Sequence, residues 1–142
     1  MTQYQDIIEI EQLIFRCCHA VDQGDIDDLM QIFHPYANLH VTWESDGVHV
    51  GQDAVRAWFE NYKRSFVDQL DFVRHRVTSP MIHVQGDKAS ARSYLNVDTG
   101  NRATGAAIAL ARYEDKFVKE EGRWWFIEKV VFMDAVYPYA TG

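Results

Sequence analysis

From Leu70 onward, apolar residues fall at every second position in four segments, about 70 to 84, 88 to 98, 104 to 119 and 123 to 134. The breaks between them are Gly86-Asp87, Thr99-Gly100-Asn101 and Glu120-Glu121-Gly122. A period of two is that of a strand with one buried face, and Gly, Asp and Asn clusters are turn formers. The second half of the chain therefore predicts a run of antiparallel strands. The first half has a different period. Ile7, Ile10, Ile14, Cys18 and Val21 recur at helical spacing, which predicts a helix from about Tyr4 to about Asp22, ended by Gly24. Asp25 can cap a short helix to Phe33, which Pro35 stops. Leu39, Val41 and Trp43 alternate as a strand, and Ser45-Asp46-Gly47 signals a hairpin into Val48 to Val50. A third helix spans about Gln52 to Phe66, with Val55, Trp58, Phe59 and Tyr62 on one side. Helices first and sheet second is the α+β pattern, with helices laid on one face of a mainly antiparallel sheet.

The 142 residues fit one domain, 1–142, with no linker, repeat or low-complexity tract. A net charge of -7 argues against nucleic-acid and anionic-membrane partners, which attract basic surfaces. Small neutral or apolar molecules remain as ligands. No run of about 18 apolar residues exists, and MTQYQDIIEIEQ lacks the order of a signal peptide, so the expected location is cytoplasmic. Cys17 and Cys18 are neighbours, a strained geometry for a disulfide, and read as buried thiols on the first helix.

Two ionisable residues stand where apolar ones are expected. His75 shares a strand face with Val73 and Val77, while Arg74 and Arg76 share the other. Asp22 flanks the apolar stripe of the first helix at its C-terminal end, the unfavourable end of the helix dipole for a negative charge. An unpaired buried charge is costly, so two inward groups can satisfy each other. As a dyad, the carboxylate fixes the imidazole tautomer and leaves the other ring nitrogen to take a proton. The competing structural reading gives Asp22 to local backbone groups or to His19, and His75 to the core.

His34, His49 and His83 read as solvated residues of a turn, an edge strand and a segment beyond a strand break at Pro80. His40 alternates with Leu39 and Val41, and looks into a cavity only if the apolar face is not the pocket face. Trp43, Trp58, Phe59, Tyr62, Phe66, Tyr94 and Phe132 are candidates to line a pocket for a flat apolar substrate, with Tyr62 or Tyr94 offering a hydroxyl. Core packing is the plainer reading for at least half of them. Asn96, with Asp98, orients substrate if the polar face of its strand lines the cavity. No ligand spacing for a metal, no G-x-S-x-G elbow and no Gly-rich phosphate loop is present, so neither a metal nor a nucleotide is called for.

Together these residues resemble the SnoaL-like group of the NTF2-like superfamily, which includes polyketide cyclases, scytalone dehydratase, a bile-acid dehydratase and a lindane dehydrochlorinase. The resemblance rests on Ala20-Val-Asp22-Gln-Gly24-Asp25 with Leu29 and Phe33, and on Gly51 with Ala54-Val55. It continues in His75 before Gly86-Asp87-Lys-Ala89 and Ser93-Tyr94, and in Tyr113-Glu-Asp115 before Gly122-Arg-Trp124-Trp125. It implies a cone-shaped α+β barrel around a deep apolar pocket, assembled as homodimers or homotrimers. It also implies a cofactor-independent lyase of the dehydratase kind. His75 would abstract a proton next to an activating group, Asp22 would hold it, and a pocket hydroxyl or second histidine would help the leaving group. Ketosteroid isomerase, a cousin, keeps a tyrosine and an aspartate where this chain has Cys17 and Val41, so isomerisation by that constellation is not implied. Two alternatives stay open: a non-catalytic ligand-binding or oligomerising module, and a cyclase or isomerase on the same pocket.

Overall fold

The computed structural model describes residues 2–138. Helix α1 spans Gln3–Gln23. Thr2 caps its start with a reciprocal bond to Gln5, and Gly24, in the left-handed region at φ 67°, closes its end with an N–H to Ala20 and Val21 carbonyls. Helix α2 is Ile26–Ile32, capped by Asp25, and α3 is Gln52–Ser65. Six strands follow the expected order: β1 Phe33–Val41, β2 Val48–Val50, β3 Phe72–Gln85, β4 Lys88–Asn101, β5 Gly105–Glu120 and β6 Arg123–Pro138. They form one sheet in the order β2-β1-β6-β5-β4-β3, antiparallel except between β1 and β6. The architecture is α+β. The sheet is curved and unclosed, so the expected barrel is an open one whose edges are β2 and β3.

Irregularities supply the curvature. The β4–β5 register is unbroken, whereas β5–β6 shifts at Leu110/Ala111 and at Lys116/Phe117, and β3–β4 shifts at Thr78/Met81. Each inserts residues into one strand, bending it and changing which parity faces inward. The strand break read at Pro80 is one of these bulges: β3 continues through it, with Ser79 at φ 54° absorbing the distortion. The stop read at Pro35 is likewise a strand. β1 begins at Phe33, and Pro35 lies in the stretch between Phe33 and Asn38 where register with β6 shifts, so its missing N–H removes no ladder bond. The side-chain amide of Gln52 donates to the carbonyls of Met30 and Phe33, tying α3 to this junction.

The core lies between α1 and the inner sheet face, built on Ile10, Ile14, Leu29, Phe33, Phe117, Trp124 and Phe126. It contains a polar clasp. Asp6 Oδ1 accepts the Trp124 indole N–H at 2.9 Å and a Lys119 ammonium N–H at 3.3 Å. These donors hold the carboxyl below the usual carboxylate range, the indole bond most, against burial. A depressed folded pKa contributes stability that is present above the unfolded value near 3.9 and is lost as pH falls through the folded value. Asp6→Asn is expected to lose about 1–2 kcal/mol in urea unfolding at pH 7 and less at pH 3.

Candidate active site

Asp22 lies in the last turn of α1, which packs along β3. Because β3 is an edge strand, the N–H of His75 on its open side has no partner strand. It donates instead to both oxygens of Asp22, at 3.0 and 3.1 Å. The same carboxylate, 2.6 Å from His75 Nδ1, accepts that ring proton. A carboxylate has no proton to give, so Nδ1 carries the hydrogen, and in the neutral imidazole Nε2 keeps its lone pair. Nε2 lies 3.0 Å from the Tyr62 hydroxyl, which donates to it. The His75 side chain is 4% exposed and that of Asp22 20%, so the histidine meets the interior while the acid keeps some contact with water. The three donor bonds offset the helix-dipole disadvantage of Asp22.

Aromatic contacts fix Tyr62. Its ring stacks on Trp58 at 5.0 Å, leans on Phe66 at 5.1 Å, and meets His75 edge-on at 5.9 Å. Trp58 is held in turn by an indole N–H donated to Glu44 at 3.0 Å. Burial, assisted by the negative Asp22, raises the Tyr62 phenol well above its ordinary pKa, so it stays protonated.

The group opens into a cavity of about 260 Å³. Its walls come from α1 (Cys17, Val21), α3 (Trp58, Phe59, Tyr62) with Phe66, the inner sheet face (Leu95, Val97, Ala109, Ala111) and β6 (Lys129, Val131, Met133). Trp43 sits at the rim, in the turn after β1 and not within a strand, and is half exposed. Cys17 is buried, and its thiol is pushed up to about 11, which keeps it protonated.

Of the candidates read from sequence, His75, Tyr62, Trp58, Phe59, Phe66 and Trp43 line this cavity, and Asp22 stands behind His75, bonded to it. His40, Tyr94, Asn96 and Phe132 do not. The apolar face of each strand is the cavity face, which places the alternate residues on the sheet's outside. His40 pairs with Val48 and Val130, Tyr94 is largely exposed, Asn96 stands across from Arg76, and Phe132 lies under the Arg112 guanidinium at 4.7 Å. His34 is buried, against the solvated reading, with Nε2 2.6 Å from Glu120 and Nδ1 accepting the Tyr36 N–H. His49 is half-buried 3.6 Å from Glu44, and His83 is exposed.

Sequence reading missed Lys129, Asp115 and Tyr113. Lys129 donates to Asp115 Oδ1 at 3.0 Å, the pair being 2% and 0% exposed, and its ammonium sits 3.4 Å from the Tyr113 ring centroid. Burial works most strongly against the lysine charge, but the interactions it makes, those with Asp115 foremost, together raise the lysine pKa. Asp115 was findable: Ala111, Tyr113, Asp115 and Phe117 share one parity, so an acid stands on an apolar face. Lys129 was not, because the shift between Phe126 and Glu128 turns it inward after Trp124 and Phe126. Among the described residues, no group of three or more His, Cys, Asp or Glu is arranged to hold a metal, and no helix is long and apolar enough to cross a membrane.

An uncharacterized protein of Mycobacterium tuberculosis is 26% identical over 133 residues, covering 92% of this chain and 86% of that one. A protein of unknown function with a cystatin-like fold from Nostoc punctiforme superposes with a TM-score of 0.79 at 26% identity over 94% of each chain. A provisionally assigned scytalone dehydratase from Novosphingobium aromaticivorans gives 0.80 at 18%, over 98% of this chain and 91% of that one. A hexachlorocyclohexane dehydrochlorinase from Novosphingobium barchaimii gives 0.80 at 18%, over 97% and 92%. At such identities the last two share the fold and nothing finer. The SnoaL-like domain model matches residues 2–130, nearly the whole chain, and the chain belongs to the SnoaL-like domain family.

Proposed function

We propose that the protein is a cofactor-independent lyase that removes water from a small or polycyclic apolar molecule. One observation carries the reading: Asp22, His75 and Tyr62 form a continuous hydrogen-bonded chain at the wall of an apolar cavity. The chain has the parts an elimination needs. Asp22 fixes the Nδ1–H tautomer and stabilises the imidazolium, and Nε2 takes the substrate proton. The C–H electron pair becomes the new double bond and the C–O bond breaks. Tyr62 gives its proton to the departing hydroxide and regains one from His75, so water leaves and the enzyme is restored. The apolar walls exclude solvent and raise the strength of these interactions. Two fold relatives whose names denote eliminations, a dehydratase and a dehydrochlorinase, accord with this reading. The substrate is small enough for about 260 Å³, and the active form is a homodimer or homotrimer.

The test is elimination from bicyclic β-hydroxy ketones and matching β-chloro ketones, followed by absorbance of the conjugated enone. Turnover above background by the wild type, lost in His75→Gln and Asp22→Asn, is the expected result. The absence of elimination from every member of both series would overturn it. Tyr62→Phe separates the roles. It is expected to slow loss of water about 100-fold and loss of chloride far less, since chloride departs without a proton.

A further inference from the structure

We infer that Tyr113 is an oxygen-binding subsite of the cavity, a hydrogen-bond donor to the carbonyl of a ketone substrate, backed by the Lys129–Asp115 pair. This names the substrate class within the lyase reading and rests on that reading for its catalytic role.

Three polar groups of the cavity are already engaged. Tyr62 donates to His75 at 3.0 Å, the Thr99 hydroxyl to the Ala107 carbonyl at 3.2 Å, and Lys129 to Asp115 at 3.0 Å. Tyr113 lines the same cavity and is 7% exposed, and among the described residues its hydroxyl makes no hydrogen bond. The hydroxyl oxygen is not one of the fully enclosed unpaired atoms, so it keeps accessible surface and can meet a ligand's acceptor. Tyr113 lines the cavity together with Cys17 and Tyr62. Burial raises its pKa, which keeps it a donor.

Its surroundings favour an acceptor bearing negative charge. The Lys129 ammonium lies over the ring face, 3.4 Å from the centroid, and draws electron density from the phenol. Asp115 anchors that ammonium, and among the described residues its Oδ2 has no hydrogen-bond partner and the carboxylate's one direct bond is to the lysine. The cavity thus has two phenols with opposite backing. Tyr62 is backed by a proton acceptor and Tyr113 by a cation. A ketone spanning them would place its α C–H at His75 and its oxygen at Tyr113. When Nε2 takes the α proton, the C–H pair forms an enolate whose charge falls on that oxygen. Re-forming the carbonyl then expels the β-hydroxyl, which leaves as water with the proton supplied through Tyr62. No oxidant or reductant enters.

The test is binding, measured by calorimetry with 2-acetonaphthone and its oxygen-free analogue 2-ethylnaphthalene. The wild type is expected to prefer the ketone about fivefold to tenfold. Tyr113→Phe should bring the ratio near one while leaving 2-ethylnaphthalene affinity within about twofold, and His75→Gln should keep the preference. The bound ketone's carbonyl stretch should fall below its frequency in hexane and return toward it in Tyr113→Phe, a signature that ring packing alone does not produce. No preference in the wild type, or an undiminished preference in Tyr113→Phe, overturns the subsite. The wild-type carbonyl frequency decides the matter if the variant does not fold. Because no turnover is read, absent elimination with an intact preference would defeat the lyase reading alone, and elimination without the preference would defeat only the subsite.

Discussion

Replacing His75 by Gln is expected to lower kcat for elimination by about 10²–10⁴-fold, with substrate affinity nearly unchanged and the thermal midpoint close to wild type. Glutamine is near the size of the imidazole and can donate to Asp22, but has no nitrogen lone pair for a carbon-bound proton. Asp22→Asn should fall in the same range for a different reason. The carboxylate accepts the ring N–H at 2.6 Å and the His75 backbone N–H at 3.0 and 3.1 Å, whereas an amide offers one acceptor oxygen for both. The tautomer is then no longer imposed, and the imidazolium loses its counter-charge. Asp22→Ala should additionally cost about 1–3 kcal/mol of stability, since it leaves an edge-strand N–H without an acceptor. Turnover undiminished in both His75→Gln and Asp22→Asn would end the elimination mechanism and return the pair to a structural role.

The largest loss of stability is expected from Lys129→Met, about 3–5 kcal/mol by urea unfolding at pH 7. The variant leaves Asp115, fully buried with one oxygen already unbonded, as an uncompensated charge. Burial raises the Asp115 pKa even beside the lysine, and loss of the lysine raises it further. The sign follows. An acid with a raised folded pKa gains stability as pH falls below that value, so the deficit relative to wild type should shrink toward pH 4–5. The double variant Lys129→Met with Asp115→Leu removes both charges and should recover most of the loss, because an apolar pair of similar volume avoids desolvation. A single-variant loss under about 1 kcal/mol would contradict the uncompensated-charge account.

How the site came to be legible, and where it did not, follows from the two kinds of periodicity. His75 was readable because β3 alternates cleanly between Phe72 and Thr78, so its valine neighbours fix its direction. Asp22 was readable as an acid beside an apolar stripe, and Tyr62 as a member of the α3 stripe. Tyr94, Asn96 and Phe132 were included only because a strand presents two faces, and alternation alone does not say which one faces a cavity. His34 reads as a turn residue if Pro35 ends structure, and as buried once β1 is seen to run through it.

By itself, the sequence determined the element types, their order and the α+β class, because these depend on local period and on turn residues that act over a few positions. It also determined that an aspartate and a histidine each occupied an apolar face. Only the tertiary structure decided that they meet, because the contact spans 53 positions and requires the end of α1 to lie on the open edge of β3. It alone decided that Lys129 points inward, since a bulge resets strand parity without leaving a mark in the pattern before it. It also enclosed the cavity, which depends on how far an unclosed sheet bends around its helices and not on any one segment.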